Sequence, residues 1–215
     1  MPHLSTTRSF GSLRVRTPHV ERGLKVGVMG GSFNPPHEGH RVVGETALRR
    51  LGLDQLWWLV TPGNPLKDNG NLRPLDDRMA ACRALARHPR MHVTAFEAEL
   101  KARYTAVTLA FLETRHPGVR FVWVMGADNL AGFHRWQSWR GIGQGLPIAV
   151  VDRPHWRLRA IASPAARALG RLQVPEVQAG TVAGRRAGWT LLSTRLSDAS
   201  STAIRARDRG MSREP

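Results

Sequence analysis

The chain has 215 residues, 41% hydrophobic and 22% charged, enough for one larger domain with a sizeable core. It contains no run of about eighteen apolar residues, which excludes a transmembrane helix. Its opening, MPHLSTTRSFGSLRVRTPHVERG, lacks the apolar centre of a secretory signal. The single cysteine, Cys82, excludes an internal disulfide framework and a cysteine-based zinc cluster, and suits a reducing cytoplasm. Net charge is +16, with 32 Lys and Arg against 16 Asp and Glu. Such an excess favours anionic partners, although solubility alone would account for it equally well. The arginines are scattered rather than blocked, and aromatic residues make up only 7%. A dedicated nucleic-acid surface of alternating basic and aromatic side chains is therefore not expected.

Residues 1–23 read as a flexible basic tail, with a transit peptide as the alternative, and residues 24–210 as a single domain. LKVGVMG is a short apolar strand closed by glycine, and Glu38 to Leu51 has helical spacing up to Gly52. QLWWLVTPGNP is a second strand halted by a turn. Asp76 or Asp77 is expected to cap a helix from Met79 to Ala86, with Pro89 beyond its end. MHVTAF reads as a third strand. Thr105 is expected to cap a helix running through Leu112 to His116, stopped by Pro117 and Gly118. RFVWVMGAD is a fourth strand, LPIAVVDRP a fifth and WTLLST a last one, followed by a helix in SSTAIRARDRG. Strands alternating with helices of about ten residues argue an α/β fold, a doubly wound parallel sheet with helices on both faces. Ligands in such sheets bind beyond the carboxyl ends of the strands, where the strand order reverses. The unusual stretches fall there: Gly30–His40, Thr61–Lys67, Gly126–Asp128 and Arg153.

GGSFNPPHEGH carries the densest chemistry. Gly30 and Gly31 let the backbone approach a ligand, Ser32 and Phe33 offer main-chain N–H groups, and Pro35-Pro36 stiffen the bend. His37 and His40 stand beside a helix start, whose unpaired N–H groups and dipole suit a phosphate. An isolated histidine is ordinarily a satisfied core or surface residue, and it is the Gly-Pro frame that argues for function here. SSTAIR offers hydroxyls from Ser200, Ser201 and Thr202, with Arg205 one turn later; a plain helix cap would look the same. Cys82 lies in an apolar helical stretch and reads as core. H-E-x-x-H, C-x-x-C, the phosphate-loop pattern and G-x-G-x-x-G are all absent, which argues against a classical dehydrogenase site.

Seven pieces stand in order: GGSFNPPHEGH, TPGNPLK, DDRM, YTAVTL, GADNLAGFHRWQSW, VVDRP and SSTAIR. In that order the chain resembles bacterial nicotinate-nucleotide adenylyltransferases, from about Leu24 to Arg205. The H-x-G-H core alone marks a wider nucleotidyltransferase superfamily. The resemblance implies a Rossmann-like fold and adenylyl transfer from ATP, with Mg²⁺, to nicotinate mononucleotide. It implies catalytic roles for His37, His40, Lys67 and Arg205. ATP binding would involve Gly30, Gly31, Ser32, Phe33, His37, His40, Gly126, Asp128, Ser200, Ser201, Thr202 and Arg205. The mononucleotide would meet Ser32, Phe33, Asn34, Lys67, Tyr104, Thr105, Trp136 and Arg153. Indole stacking at Trp136 suits a flat ring, and N–H groups at the helix start near Tyr104 and Thr105 suit its carboxylate. Trp139 is expected to pack. Asp128 could meet a ribose, help place Mg²⁺ or cap the helix in NLAGF. Arg73 is a further cation, and Arg78 is expected in a structural ion pair.

Two positions depart from the family pattern. Ala199 stands where isoleucine is usual, which bears on packing under the loop, and Val107 stands where an acidic residue is common. No metal ligand set belongs to the chain itself. The alternatives are a sister activity on nicotinamide mononucleotide or phosphopantetheine, and a basic nucleic-acid-binding protein. The expected setting is the cytoplasm, without membrane or specific nucleic-acid partners, and a homo-oligomer is compatible with the sequence.

Overall fold

The computed structural model describes residues 15–63, 70–195, 199, 201–202 and 204–205. Six strands form one sheet: β1 (Lys25–Gly31), β2 (Gln55–Val60), β3 (Met91–Thr94), β4 (Arg120–Gly126), β5 (Pro147–Val151) and β6 (Gly188–Leu192). Their order is β3-β2-β1-β4-β5-β6, and every pairing is parallel. The order therefore reverses between β1 and β4, where Val28 is level with both Trp57 and Trp123. Beyond that level the carboxyl ends of the two strands open the crevice in which such sheets take ligands.

Alternation along the strands divides the core in two. One face of the sheet buries Val26, Val28, Trp57, Leu59, Phe121 and Trp123. The other buries Met29, Leu56, Trp58, Val60, Val122 and Val124. With both faces covered, the strands carry the near-continuous apolar runs seen in the sequence. Helix α1 (Glu38–Leu51) covers the second face through Val43, Ala47, Leu48 and Leu51, and closes in a left-handed Gly52 as expected. Helix α4 (Thr105–Arg115) covers the first through Leu109, Phe111 and Leu112.

Several boundaries shift from expectation. Helix α2 (Leu75–Leu85) starts after Pro74, so Asp76 and Asp77 sit in its first turn, near the dipole, rather than at the cap. Tyr104 is the residue before α4, and Thr105 is its first helical residue. The third strand ends at Thr94; Phe96 turns into the short helix α3 (Phe96–Leu100), because a buried phenylalanine there reaches Trp57 and Phe111 across the first face. Asp128 lies inside α5 (Ala127–Gly132), one residue past its start, and so is not the cap. Further helices are α6 (Trp139–Gly145), α7 (Arg157–Ile161) and α8 (Pro164–Ala168), with a 3₁₀ stretch at Glu176–Gly184. The five-residue helices between β5 and β6 are too short to show a period. Among the described residues, no helix is long and apolar enough to cross a membrane.

The expected basic tail is not free over its described part. Val15 is buried in the first core with Val20 packed beside it. The Arg16 N–H donates to Glu99 Oε2 at 3.2 Å, Thr17 Oγ1 pairs with His116 Nε2 at 3.0 Å, and Gly23 N–H donates to Gly118 O at 2.8 Å. A domain boundary at Leu24 thus falls too late, because apolar Val15 and Val20 were hidden among basic and polar neighbours. Val15→Ala should lower the free energy of unfolding by about 1–2 kcal/mol. Chemical denaturation measures this, and an unchanged midpoint would mean that the segment rests on the domain without stabilising it.

Candidate active site

His37 precedes α1 and His40 is its third residue, so the two rings meet at the helix start with centroids 3.8 Å apart. The His37 backbone N–H donates to His40 Nδ1 at 3.2 Å. A ring nitrogen that accepts leaves the hydrogen on the other, so His40 Nε2 is a donor. His37 is buried, and its Nδ1 has no hydrogen-bond partner among the described residues. Burial first, and the Arg153 charge second, push the His37 imidazole down to about 4. It is therefore neutral near pH 7, and an arriving phosphate would oppose both effects.

The loop between β1 and α1 is held from below. Phe33 takes a left-handed φ of 46°, uncommon for a bulky residue, and its ring stacks on Trp58 at 5.2 Å and lies against His40 at 4.8 Å. Asn34 is also buried: its Nδ2 donates to Asn71 O at 2.9 Å and its Oδ1 accepts from Arg73 N–H at 3.1 Å. Its amide thus braces the scaffold. Arg78 has no carboxylate partner among the described residues, contrary to the expected ion pair. It donates instead to the carbonyls of Arg73, Ser32 and Thr61 at 2.9, 2.8 and 2.7 Å.

Arg153, expected at the acceptor ring, meets the start of α1 and the chain at Ala199. Its Nη2 donates to Ala199 O at 3.0 Å. A Cβ on Gly39 would lie 2.8 Å from its Nη1, so only glycine lets the guanidinium come this close to the helix start. The contact at Ala199 uses the main chain, which is why the side-chain departure there leaves it intact. Ser201 Oγ donates to Pro35 O at 2.8 Å, and Arg205 Nη1 donates to Asn34 O. The last helical segment is thereby clasped to the histidine loop. Lys67 and Ser200 lie outside the described residues.

All these groups line one cleft of about 600 Å³, together with Gly30, Gly31, Gly126, Asp128, Thr202, Tyr104, Thr105 and Trp136. Trp136 stands edge-on to Trp123 at 6.1 Å and to Phe133 at 5.3 Å, which leaves its own face for a flat ligand. Trp139 packs on Phe133 and under Arg140 instead. Trp123 also lines the cleft; a Cβ on Gly30 would lie 2.6 Å from its ring, so glycine in β1 makes room for the indole. Sequence reading missed Trp123, because inside an apolar strand it looks like core. It also missed Glu97, Arg103 and Arg135, which have no motif around them. Described arginines in the lining are Arg103, Arg135, Arg153 and Arg205, against the carboxyls Glu97 and Asp128. Four cations over two acids favour an anionic ligand.

Comparison with known proteins agrees. Residues 28–207 match the family model described as cytidylyltransferase-like. A probable nicotinate-nucleotide adenylyltransferase of Rhizobium meliloti (strain 1021) is 58% identical over 188 residues, 87% of this chain and 100% of that protein. Another, of Mesorhizobium japonicum, is 53% identical over 194 residues, 90% of this chain and 100% of that protein. The chain belongs to the nicotinate-nucleotide adenylyltransferase family. The fold of this family also appears in a solved Plasmodium falciparum nicotinic acid mononucleotide adenylyltransferase complexed with NaAD. That structure has a TM-score of 0.64 at 15% identity, and the match covers 84% of this chain and 82% of that one.

The depressed His37 value has a definite sign. From pH 6.5 down to about 4 the unfolded chain takes up a proton that folded His37 refuses, so its contribution to stability is present above 6.5 and lost as pH falls through that window. In an NMR titration the His37 ring should stay neutral to below pH 5, and Arg153→Met should move its midpoint upward. A midpoint of 6.5 or higher in the parent protein would contradict the burial argument.

Proposed function

We propose that the protein transfers the adenylyl group of ATP to nicotinate mononucleotide, forming nicotinate adenine dinucleotide and pyrophosphate in NAD biosynthesis. The observation that carries this reading is the histidine pair at the start of α1, with His40 Nε2 as donor, in a cationic cleft that also holds an indole face. A mononucleotide phosphate oxygen attacks the α-phosphorus of ATP, the bond to the bridging oxygen breaks, and pyrophosphate leaves. Such a transfer needs alignment and charge neutralisation rather than a covalent enzyme intermediate.

In this reading His40 donates to the triphosphate, with the N–H groups at the start of α1 beside it. His37, neutral and with its Nδ1 in want of a partner, joins when phosphate arrives. Arg153, whose contacts lie at the start of α1, belongs with the phosphates rather than with the pyridine ring. Ser201, Thr202 and Arg205 border the same end; Lys67 and Ser200 are assigned there by family resemblance alone. Trp136 holds the pyridine ring, and the start of α4 at Tyr104 and Thr105 receives its carboxylate, with Arg103 next in sequence. Among the described residues no cluster of three His, Cys, Asp or Glu could hold an ion unaided. Mg²⁺ fits this cleft as an ion carried by ATP, with phosphate and water as its main ligands and Asp128 as a lining carboxylate; it would neutralise charge on the leaving group. The buried Cys82 thiol, pushed up to about 12 by burial, is inert and in keeping with the cytoplasm.

Pyrophosphate release from ATP, measured with a panel of acceptors, tests the reading. Nicotinate mononucleotide should exceed nicotinamide mononucleotide at least about tenfold in kcat/KM, the value of one interaction with a charged group. Equal rates would make the enzyme one of dual specificity, and release only with phosphopantetheine would overturn the proposal. In the same assay His40→Ala should lower turnover by about two to three orders of magnitude, as for loss of one transition-state donor. Near-parental turnover in folded His40→Ala protein would remove that histidine from the reaction.

A further inference from the structure

Glu97 is the second residue of α3, is only 7% exposed, and lines the cleft beside Thr61 and Tyr104. A carboxyl so placed is costly unless it is neutral or well bonded. None of the ion pairs among the described residues involves it. Its partners are two hydroxyls from different elements. Thr108 Oγ1, in the first turn of α4, donates to Glu97 Oε1 at 2.6 Å, and Thr61, just past β2, forms a second side-chain hydrogen bond.

The hydrogens in this chain can be counted. The Thr61 hydroxyl has one hydrogen, and it goes to Gly63 O at 2.8 Å. Toward Glu97 it can therefore only accept, so the carboxyl must supply the hydrogen. Thr108 donates to the other side of the same group. The sequence of bonds runs Thr108 to Glu97 to Thr61 to Gly63, and it closes only with a protonated Glu97. Burial independently pushes this carboxyl upward, opposed in part by the two hydroxyls. A bridge of this kind joins the first turn of α4 to the loop after β2. Thr108 N–H also reaches Tyr104 O at 3.4 Å, so the bridge acts on the turn that begins at Tyr104.

We propose that Glu97 is a positioning residue for the acceptor end of the cleft, bridging Thr61 and Thr108 so that the start of α4 is held at the distance the acceptor's carboxylate requires. The inference rests on the reading of that helix start as the acceptor site. Glutamine in place of Glu97 retains both halves of the bridge, because its amide donates to Thr61 while its carbonyl accepts from Thr108. Alanine retains neither. Thr108→Val removes one donor at nearly constant shape.

Steady-state kinetics of the full chain with ATP and nicotinate mononucleotide, together with amide hydrogen exchange without substrate, test the bridge. Glu97→Ala should raise the acceptor KM about tenfold while kcat and the KM for ATP stay within about threefold. Exchange at residues 105–108 should quicken in the same variant. Glu97→Gln should match the parent in both measurements, and Thr108→Val should fall between; these two carry the test if Glu97→Ala does not fold. A glutamine variant as damaged as alanine, or KM values for ATP and acceptor rising together, would overturn the positioning role. So would unchanged exchange and acceptor KM in Glu97→Ala. If the parent does not use nicotinate mononucleotide, the substrate reading fails by itself, and the exchange comparison still decides whether Glu97 holds the start of α4.

Discussion

A guanidinium that is 2% exposed would be strongly destabilising without acceptors on every side, and Arg78 finds them on three stretches of backbone. Its carbonyl partners at Ser32 and Thr61 belong to the loops that follow β1 and β2, and the third, at Arg73, belongs to the segment entering α2. Burial lowers its affinity for the proton, but an arginine has so much to spare that the charge stays. Because a peptide unit is planar, turning the Ser32 carbonyl toward Arg78 turns the Phe33 N–H away from it. The orientation of the loop's donors is thus a consequence of a cation that never meets ligand. Asn34 adds two bonds to the same segment, and Arg205 and Ser201 fasten the loop from the other end of the chain.

Upon that frame the site separates two kinds of work. The phosphate end gathers a helix start, a donor nitrogen on His40, a neutral His37 and Arg153 pressed against Gly39. Its cations are held by main-chain carbonyls rather than by carboxylates, so their charge is not cancelled before a ligand arrives. The acceptor end is apolar and flat, with Trp136 set by edge contacts to Trp123 and Phe133. The reversal of strand order between β1 and β4 is what brings these ends together: α1 follows one strand and α5 the other, on opposite sides of a single crevice.

Much of this was legible in the chain. The strands were readable as apolar runs because both sheet faces are covered, and α1 because its apolar stripe and Gly52 agree on one boundary. The histidine loop was readable because glycine, proline and histidine at close spacing have few other uses. Less legible were the groups whose importance depends on what lies opposite. Arg78 beside two aspartates suggested an ion pair, yet those aspartates sit in the outer first turn of α2 while its guanidinium turns inward to carbonyls. Val15 and Val20 stood within a basic stretch and read as tail, whereas they complete the core. Arg153 was expected at the pyridine ring, but β5 delivers it to the face of the sheet that carries α1.

Sequence alone determined the parallel α/β class, the crevice at the carboxyl ends, and the phosphate chemistry of His37 and His40. Each of these is set by local spacing: alternation, helical period and the frame of a tight loop. Only the tertiary structure decided which nitrogen of His40 bears hydrogen, that His37 is neutral, that Trp123 borders the cleft, and that Glu97 spans Thr61 and Thr108. Those properties arise from burial and from partners up to tens of residues away, and neither has a period that a linear reading can detect.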